Sequence, residues 1–158
     1  MLVIACSGRI YEFQSFKSFD DKIWHRNDTV SFEFVSPDDG VKNLYFYLEN
    51  TEEYPYNNIF IIAKTKQDNK LTVDTLEYLM TDGHGRWLGK KIRNSVENLL
   101  VYKTNIKLEK NKKITVSLEP ATRRIDRTEG DEYLPGIVKI GLIVEPVKNH
   151  PNEKENIR

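Results

Sequence analysis

A chain of 158 residues with 39% hydrophobic and 30% charged side chains has room for a single core and is too apolar to be disordered. Its 24 basic and 24 acidic residues cancel, which speaks against a protein built to hold phosphate backbones, so no nucleic-acid partner is expected. One cysteine excludes an internal disulfide and multi-cysteine zinc sites, and no apolar run approaches the about 20 residues of a spanning helix.

The chain opens MLVIACSGR, and Leu2–Cys6 has two readings. It is the start of a buried strand, with Cys6 as a small core residue, or the stump of an export signal, with Cys6 as the first mature residue. Residues 15–26, SFKSFDDKIWHR, read as a short helix or turn leading to Trp24. Val30, Phe32 and Phe34 then alternate with polar residues, as do Leu44, Phe46 and Leu48, which marks half-buried strands. Residues 59–63, IFIIA, are apolar on both faces and predict a central strand. Leu71 and Val73 start another strand, but Leu76, Tyr78 and Met80 follow in the opposite phase, which predicts a bulge near Asp74–Thr75. Ile92, Val96, Leu99 and Leu100 have helical spacing and suggest a short helix over 90–99. Strand faces return with Leu100, Tyr102, Ile106 and Leu108, with Ile114, Val116 and Leu118, and with Val138, Ile140, Leu142 and Val144. Turn-rich segments lie between them: PDDG at 37–40, YPYNN at 54–58, QDNK at 67–70, DGHG at 82–85 and EKNKK at 109–113.

The pattern predicts an all-β protein: an antiparallel, jelly-roll-like β-sandwich of about 7 to 9 strands with one or two short helices. Phe32, Phe34, Phe46, Leu48, Ile59, Ile61, Val116, Ile140 and Leu142 are its expected core.

Two loops look like sites. TDGHGRWLG at 81–89 holds an acid, a histidine, three glycines and a tryptophan. It lacks the Lys-Ser/Thr of a phosphate loop and the glycine spacing of a dinucleotide fingerprint. His84 has no identifiable nucleophile, and the other histidines are His25 and His150. The expectation is therefore a structural loop on Asp82, Gly85, Trp87 and Gly89, with no catalytic residue, no metal ligand and no cofactor. In YPYNN, Tyr54, Tyr56, Asn57 and Asn58 read either as a tight connection or as a partner-binding loop, since tyrosine offers a broad flat surface with a polar end. Asp74, Glu77 and Asp82 form a loose acidic set, too sparse for calcium, and read as solvated strand faces. Lys107, Lys110, Lys112 and Lys113 read as a solvated strand end and turn.

WHRNDTVSFEF, NLYFYLENTEEYPYNNIFI, DTLEYLMTDGHGRWLG and YLPGIVKIGLIVEP follow one another in an order that resembles the gliding-motility lipoprotein family GldH. The likeness runs from about Cys6 to Glu145. It rests on Trp24, the YPYNN loop, Asp74–Glu77, the G-x-W-x-G at Gly85–Gly89 and the LPGI-x-x-x-G at Leu134–Gly141. Members commonly carry an arginine before the YP loop, where this chain has Glu49-Asn50, and often a glutamine near Glu119.

The resemblance implies an envelope lipoprotein that supports gliding as a non-enzymatic binding or scaffold component, with other motility and envelope proteins as partners and no small-molecule substrate. A general envelope or secretion accessory and a carbohydrate-binding or carbohydrate-active sandwich are the alternatives. Val3-Ile4-Ala5-Cys6 resembles the end of a lipobox. On that reading 1–5 are a signal remnant and Cys6 is acylated, with palmitate among its chains. Residues 6–20 are a tether, 21–147 the sandwich and 148–158 a polar tail. The lipid sits in the outer membrane and the domain faces the periplasm.

Overall fold

Alternation of apolar and polar residues builds nearly the whole molecule. The computed structural model describes residues 9–123, 126, 128 and 130–148. Its strands are β1 (Phe13–Ser18), β2 (Ile23–His25), β3 (Val30–Val35), β4 (Gly40–Thr51), β5 (Asn58–Gln67), β6 (Lys70–Leu79), β7 (Lys90–Ile92), β8 (Ser95–Leu108), β9 (Lys113–Pro120), β10 (Tyr133–Pro135) and β11 (Ile137–Pro146).

A five-stranded sheet runs β1-β11-β4-β8-β7, a four-stranded sheet runs β3-β9-β5-β6, and β10 pairs with β2 as a ribbon. Every pairing is antiparallel. The eight strands of six or more residues, counted along the chain, lie in the orders 1-8-3-6 and 2-7-4-5. That is a jelly roll, two Greek keys wrapped into a sandwich.

The inner rows meet in one core. Phe46, Leu48, Ile59, Ile61, Val116, Ile140 and Leu142 are fully buried, and Phe32 and Phe34 nearly so, as the alternation predicts. Phe46 stacks on Tyr102 with ring centres 4.5 Å apart. At one end the β2–β10 ribbon sets Leu134 opposite Trp24. Trp24 is wholly buried, stacks against Phe19 and donates its indole N–H to the Asp28 carbonyl at 2.9 Å. The buried Asn98 is paired: its amide donates to the Leu48 carbonyl at 3.0 Å and to Asn50 Oδ1 at 2.9 Å.

Several expectations are corrected. There is no helix among the described residues. Residues 15–26 hold the end of β1, a turn and β2, and 90–99 hold β7 and the start of β8. The helical spacing there is accidental: Ile92 precedes a turn in which Arg93 takes φ 53°, after which Val96 and Leu100 face in and Leu99 faces out. The strand count is 11, because β2, β7 and β10 have three residues each and leave no alternation to read.

The bulge expected near Asp74–Thr75 is absent. β5 and β6 pair without a break from Asn58↔Leu79 to Gln67↔Lys70, so Leu71 and Val73 simply face outward. Irregularities fall instead in β8 opposite Lys42–Tyr45 and in β11 between Ile137 and Lys139. The tether expected over 6–20 is interrupted from Phe13, where β1 joins the five-stranded sheet along β11. Cys6, the signal remnant and the tail from residue 149 lie outside the described residues.

Candidate functional site

The YPYNN loop joins β4 to β5. Tyr54 is 3% exposed and its hydroxyl donates to the Asn58 carbonyl at 2.7 Å, so the side chain locks the loop from below. Burial pushes its phenol above the usual tyrosine range. Gly136 makes the fit possible: it takes φ 78°, and a Cβ there would lie 2.4 Å from the Tyr54 backbone nitrogen. Tyr54 is therefore core, which removes it from the expected partner-binding set. Tyr56 packs edge-on against Tyr54 at 5.8 Å, is half-buried, and donates its hydroxyl to the Asp131 carboxylate. Asn57 is exposed, and the Asn58 amide donates to Glu77 Oε1 at 2.7 Å.

The structure brings the two singled-out loops together. The Asn57 carbonyl accepts from Met80 N–H at 2.7 Å and Thr81 N–H at 3.2 Å, which ties the loop to the start of the 81–89 segment. Within that segment Asp82 is a brace. Its Oδ1 accepts from the backbone N–H of His84 and Arg86, at 2.8 and 3.0 Å, and its Oδ2 from Arg86 Nε at 2.7 Å. The Arg86 N–H is the largest cause holding its carboxyl below the usual carboxylate range. Gly85 takes φ 76°, Trp87 packs half-buried on the core, and a Cβ at Gly89 would strike Asn98 Oδ1 at 2.4 Å. The loop is held by its own hydrogen bonds, the positive φ at Gly85 and the close packing at Gly89.

Other candidate groups do not converge. His84 is exposed. His25 bonds Asp21 at 3.1 Å, both exposed, and its ring lies 6.5 Å from that of Tyr133. Asp74 turns inward to Tyr102 and Lys103, each at 3.1 Å, while Glu77 turns outward to Asn58. Lys112 and Lys113 pair with Asp68 and Glu33. Among the described residues no three His, Cys, Asp or Glu side chains are grouped to hold a metal.

What the fold does build is a groove on the outer face of the four-stranded sheet. Tyr56, Asn57 and Asn58 form one end with Phe60, Leu79, Arg123 and Asp126. It continues past Arg26, Ile62, Thr75 and Glu119. Its far wall is the chain after β9, fastened by several bonds. Ala121 N–H donates to the Phe60 carbonyl at 2.9 Å, Phe60 N–H to Thr122 Oγ1 at 3.0 Å and Arg26 Nη1 to the Gly130 carbonyl at 3.1 Å. Arg123 Nη1 bonds the Thr128 carbonyl at 2.9 Å. Sequence reasoning found the 56–58 end and missed Phe60, Arg26 and Arg123. Phe60 left a trace, since an apolar residue on both faces of a strand implies a covered or contacted outer side.

The chain matches the GldH lipoprotein family profile over residues 11–144. It belongs to the GldH lipoprotein family. A protein of Christiangramia forsetii named gliding motility lipoprotein GldH homolog is 35% identical over 128 residues, 80% of this chain and 79% of that one. The Flavobacterium johnsoniae protein named gliding motility lipoprotein GldH is 33% identical over 147 residues, 92% of this chain and 90% of its own. Among solved structures, the Eiger TNF of S. frugiperda overlaps 89% of this chain and 90% of its own at TM-score 0.32 and 12% identity. Dimeric latent PorU of Porphyromonas gingivalis overlaps 86% of this chain and 13% of its own at TM-score 0.36 and 9% identity. At these scores the solved structures add nothing to the assignment.

Proposed function

We propose that this GldH-family chain is a lipid-anchored envelope protein that supports gliding motility as a non-enzymatic docking module. Cys6 carries the acyl chains, the lipid sits in the outer membrane, and the sandwich faces the periplasm. Partner proteins of the motility complex bind in the groove between the 55–58 loop and the chain after β9. The groove is the observation that carries this reading. It has an aromatic floor at Phe60, amides at Asn57 and Asn58, and guanidinium groups at Arg26 and Arg123. Such a set suits a protein surface, where aromatic and arginine side chains supply most of the affinity. The groove's walls are braced by backbone hydrogen bonds, so binding orders little and keeps its affinity.

The test is complementation of a strain lacking the gene. Cys6→Ser in the full precursor should abolish acylation and colony spreading. Asn57→Arg with Arg123→Glu should leave folding and acylation intact and lose both spreading and recovery of envelope partners. Full spreading with the double variant would overturn the groove as the docking site. Binding of peptidoglycan fragments, lost in the same variant, would replace the protein partner by a glycan.

A further inference from the structure

The four sheet edges of the sandwich are not equally protected. β1 and β3 have six residues each, and β7 has three. β8 beyond β7 is broken by two register shifts. Short strands, bulges and charges are how sheets keep their edges from pairing with other chains. β6 is neither short nor bulged, and its two mid-strand charges are engaged within the chain, Asp74 by Lys103 at 3.1 Å and Glu77 by the Asn58 amide at 2.7 Å. It runs ten residues in unbroken register with β5, with no proline, no bulge and no lysine between Leu71 and Leu79.

The free backbone groups of β6 can be assigned. Gln67 and Lys70 close a two-residue turn over Asp68-Asn69, and such a closing pair exchanges its hydrogen bonds. Even-numbered residues of β6 therefore bond to β5. Met80 N–H, which donates to the Asn57 carbonyl at 2.7 Å, continues that phase. Leu71, Val73, Thr75, Glu77 and Leu79 turn their N–H and C=O groups to the open side. Their side chains line the outer face: Leu71 is 62%, Val73 55% and Leu79 65% exposed. The inner row, Thr72, Asp74, Leu76 and Tyr78, is only half-buried, whereas the facing row of β5 is fully buried. No described strand pairs with this edge; β8 reaches only its inner side chains, where the Tyr78 hydroxyl donates to the Val101 carbonyl at 2.8 Å and Lys103 meets Asp74 at 3.1 Å.

The row is also self-complementary. Two copies of β6 set antiparallel about Thr75 place Leu71 opposite Leu79, Val73 opposite Glu77 and Thr75 opposite Thr75 on the outer face. On the inner face Thr72 meets Tyr78 and Asp74 meets Leu76. Apolar ends pair, and no like charges stand opposite each other, which is the cross-strand condition for stability. Every outward backbone group finds a partner in that register.

We propose that β6 is a pairing edge for a second copy of this chain, giving a two-fold dimer whose four-stranded sheets join into one. The interface is isologous, so it closes at two copies and leaves no edge for further growth. It uses backbone groups of β6 whereas the groove reading uses side chains; Leu79 and Thr75 border both, and sedimentation reports on the edge while partner recovery with the Asn57 and Arg123 changes reports on the groove.

Two measurements test it on the full chain. Thr75→Pro removes an N–H that faces the open edge and leaves the β5 ladder intact, which an edge strand tolerates. Sedimentation velocity over about a hundredfold concentration range should show a monomer–dimer equilibrium for the parent chain and monomer alone for Thr75→Pro, with circular dichroism and melting unchanged. The second is cross-linking in a Cys6→Ser background. At the two-fold the Thr75 Cα atoms sit roughly 5.5 Å apart, within disulfide reach, while Val73 is more than about 13 Å from its own copy. Thr75→Cys should form a linked dimer under mild oxidant at least tenfold faster than Val73→Cys. A parent chain that stays monomeric, a dimer that survives Thr75→Pro, or equal cross-linking at both positions would each overturn the proposal.

Discussion

Lys42 sits in the inward row of β4, in phase with Leu44 and Phe46, and is 1% exposed. Its ammonium donates to Glu12 Oε1 at 2.7 Å and to Asp38 Oδ1 at 2.5 Å. The two carboxylates differ in setting: the Asp38 side chain is 64% exposed and the Glu12 side chain 12%. Glu12 Oε2 is buried with no hydrogen-bond partner. Replacing Lys42 by methionine keeps most of the packing volume and removes the charge. Asp38 then rehydrates at little cost, but Glu12 is left as an uncompensated buried carboxylate. Breaking a buried pair from one side costs about 3–5 kcal/mol, so Lys42→Met should lose that much. Adding Glu12→Gln removes the stranded charge, and the double variant should return to within about 1 kcal/mol of the parent, since swapping a whole buried pair for neutral groups is often close to neutral. Urea unfolding at neutral pH reads both, as a shift of midpoint at constant slope. A Lys42→Met loss below about 1 kcal/mol, or a double variant worse than the single, would refute the claim that Glu12 is held by this amine.

The same ion group sets an alkaline limit. Burial pulls the Lys42 pKa down, but the hydrogen bonds it donates to Asp38 and Glu12 outweigh it and hold the amine above its usual value. A folded pKa above the unfolded one means the stabilisation is complete below the unfolded value and fades as pH rises through the folded one, so urea midpoints should fall above the usual lysine range and Lys42→Met should flatten that fall. Phe46→Ala should cost about 3–5 kcal/mol by chemical denaturation, because the ring is fully buried on Tyr102. Gly85→Ala should cost only about 1–2 kcal/mol, the left-handed strain alone, since nothing lies near its Cβ, while Gly136→Ala should cost more because its Cβ meets Tyr54 backbone. His84→Ala should leave melting and motility rescue unchanged; loss of rescue with an unchanged melt would make the 81–89 loop an active site.

The long strands were legible because alternation is a local property, and here the inward rows are largely apolar, with Lys42, Asn50 and Asn98 as exceptions. Two misreadings share a physical cause. Ile92, Val96, Leu99 and Leu100 match a helical period only because a turn at Arg93 resets the strand phase. Leu71 and Val73 suggested a bulge because apolar residues were read as inward, whereas an open edge strand carries them on its outer face. Tyr54 shows a different limit. Its neighbours in sequence are turn formers, and its burial depends on Gly136, 82 positions later, whose missing side chain makes room. The groove is equally non-local: Arg26 and Arg123 come from opposite ends of the domain and meet only once β3 pairs with β9 and β9 with β5.

This division bears on how the family signature relates to function. The residues that carry the likeness are the ones that make the fold: Trp24 and Leu134 close the end ribbon, Tyr54 and Gly136 interlock, and Asp82, Gly85 and Gly89 shape one loop. Each is fixed by packing, a positive φ or a close backbone approach, so a substitution costs stability before it touches a partner. Arg123 in the groove and Leu71 and Val73 on β6 lie outside those motifs, on surface that the scaffold holds in place without depending on it. A chain can therefore keep every signature residue and bind something different. Relatives are best compared at Arg123, Leu71 and Val73, where the proposed groove and pairing edge expect a change in binding, rather than at the residues by which the family is recognised.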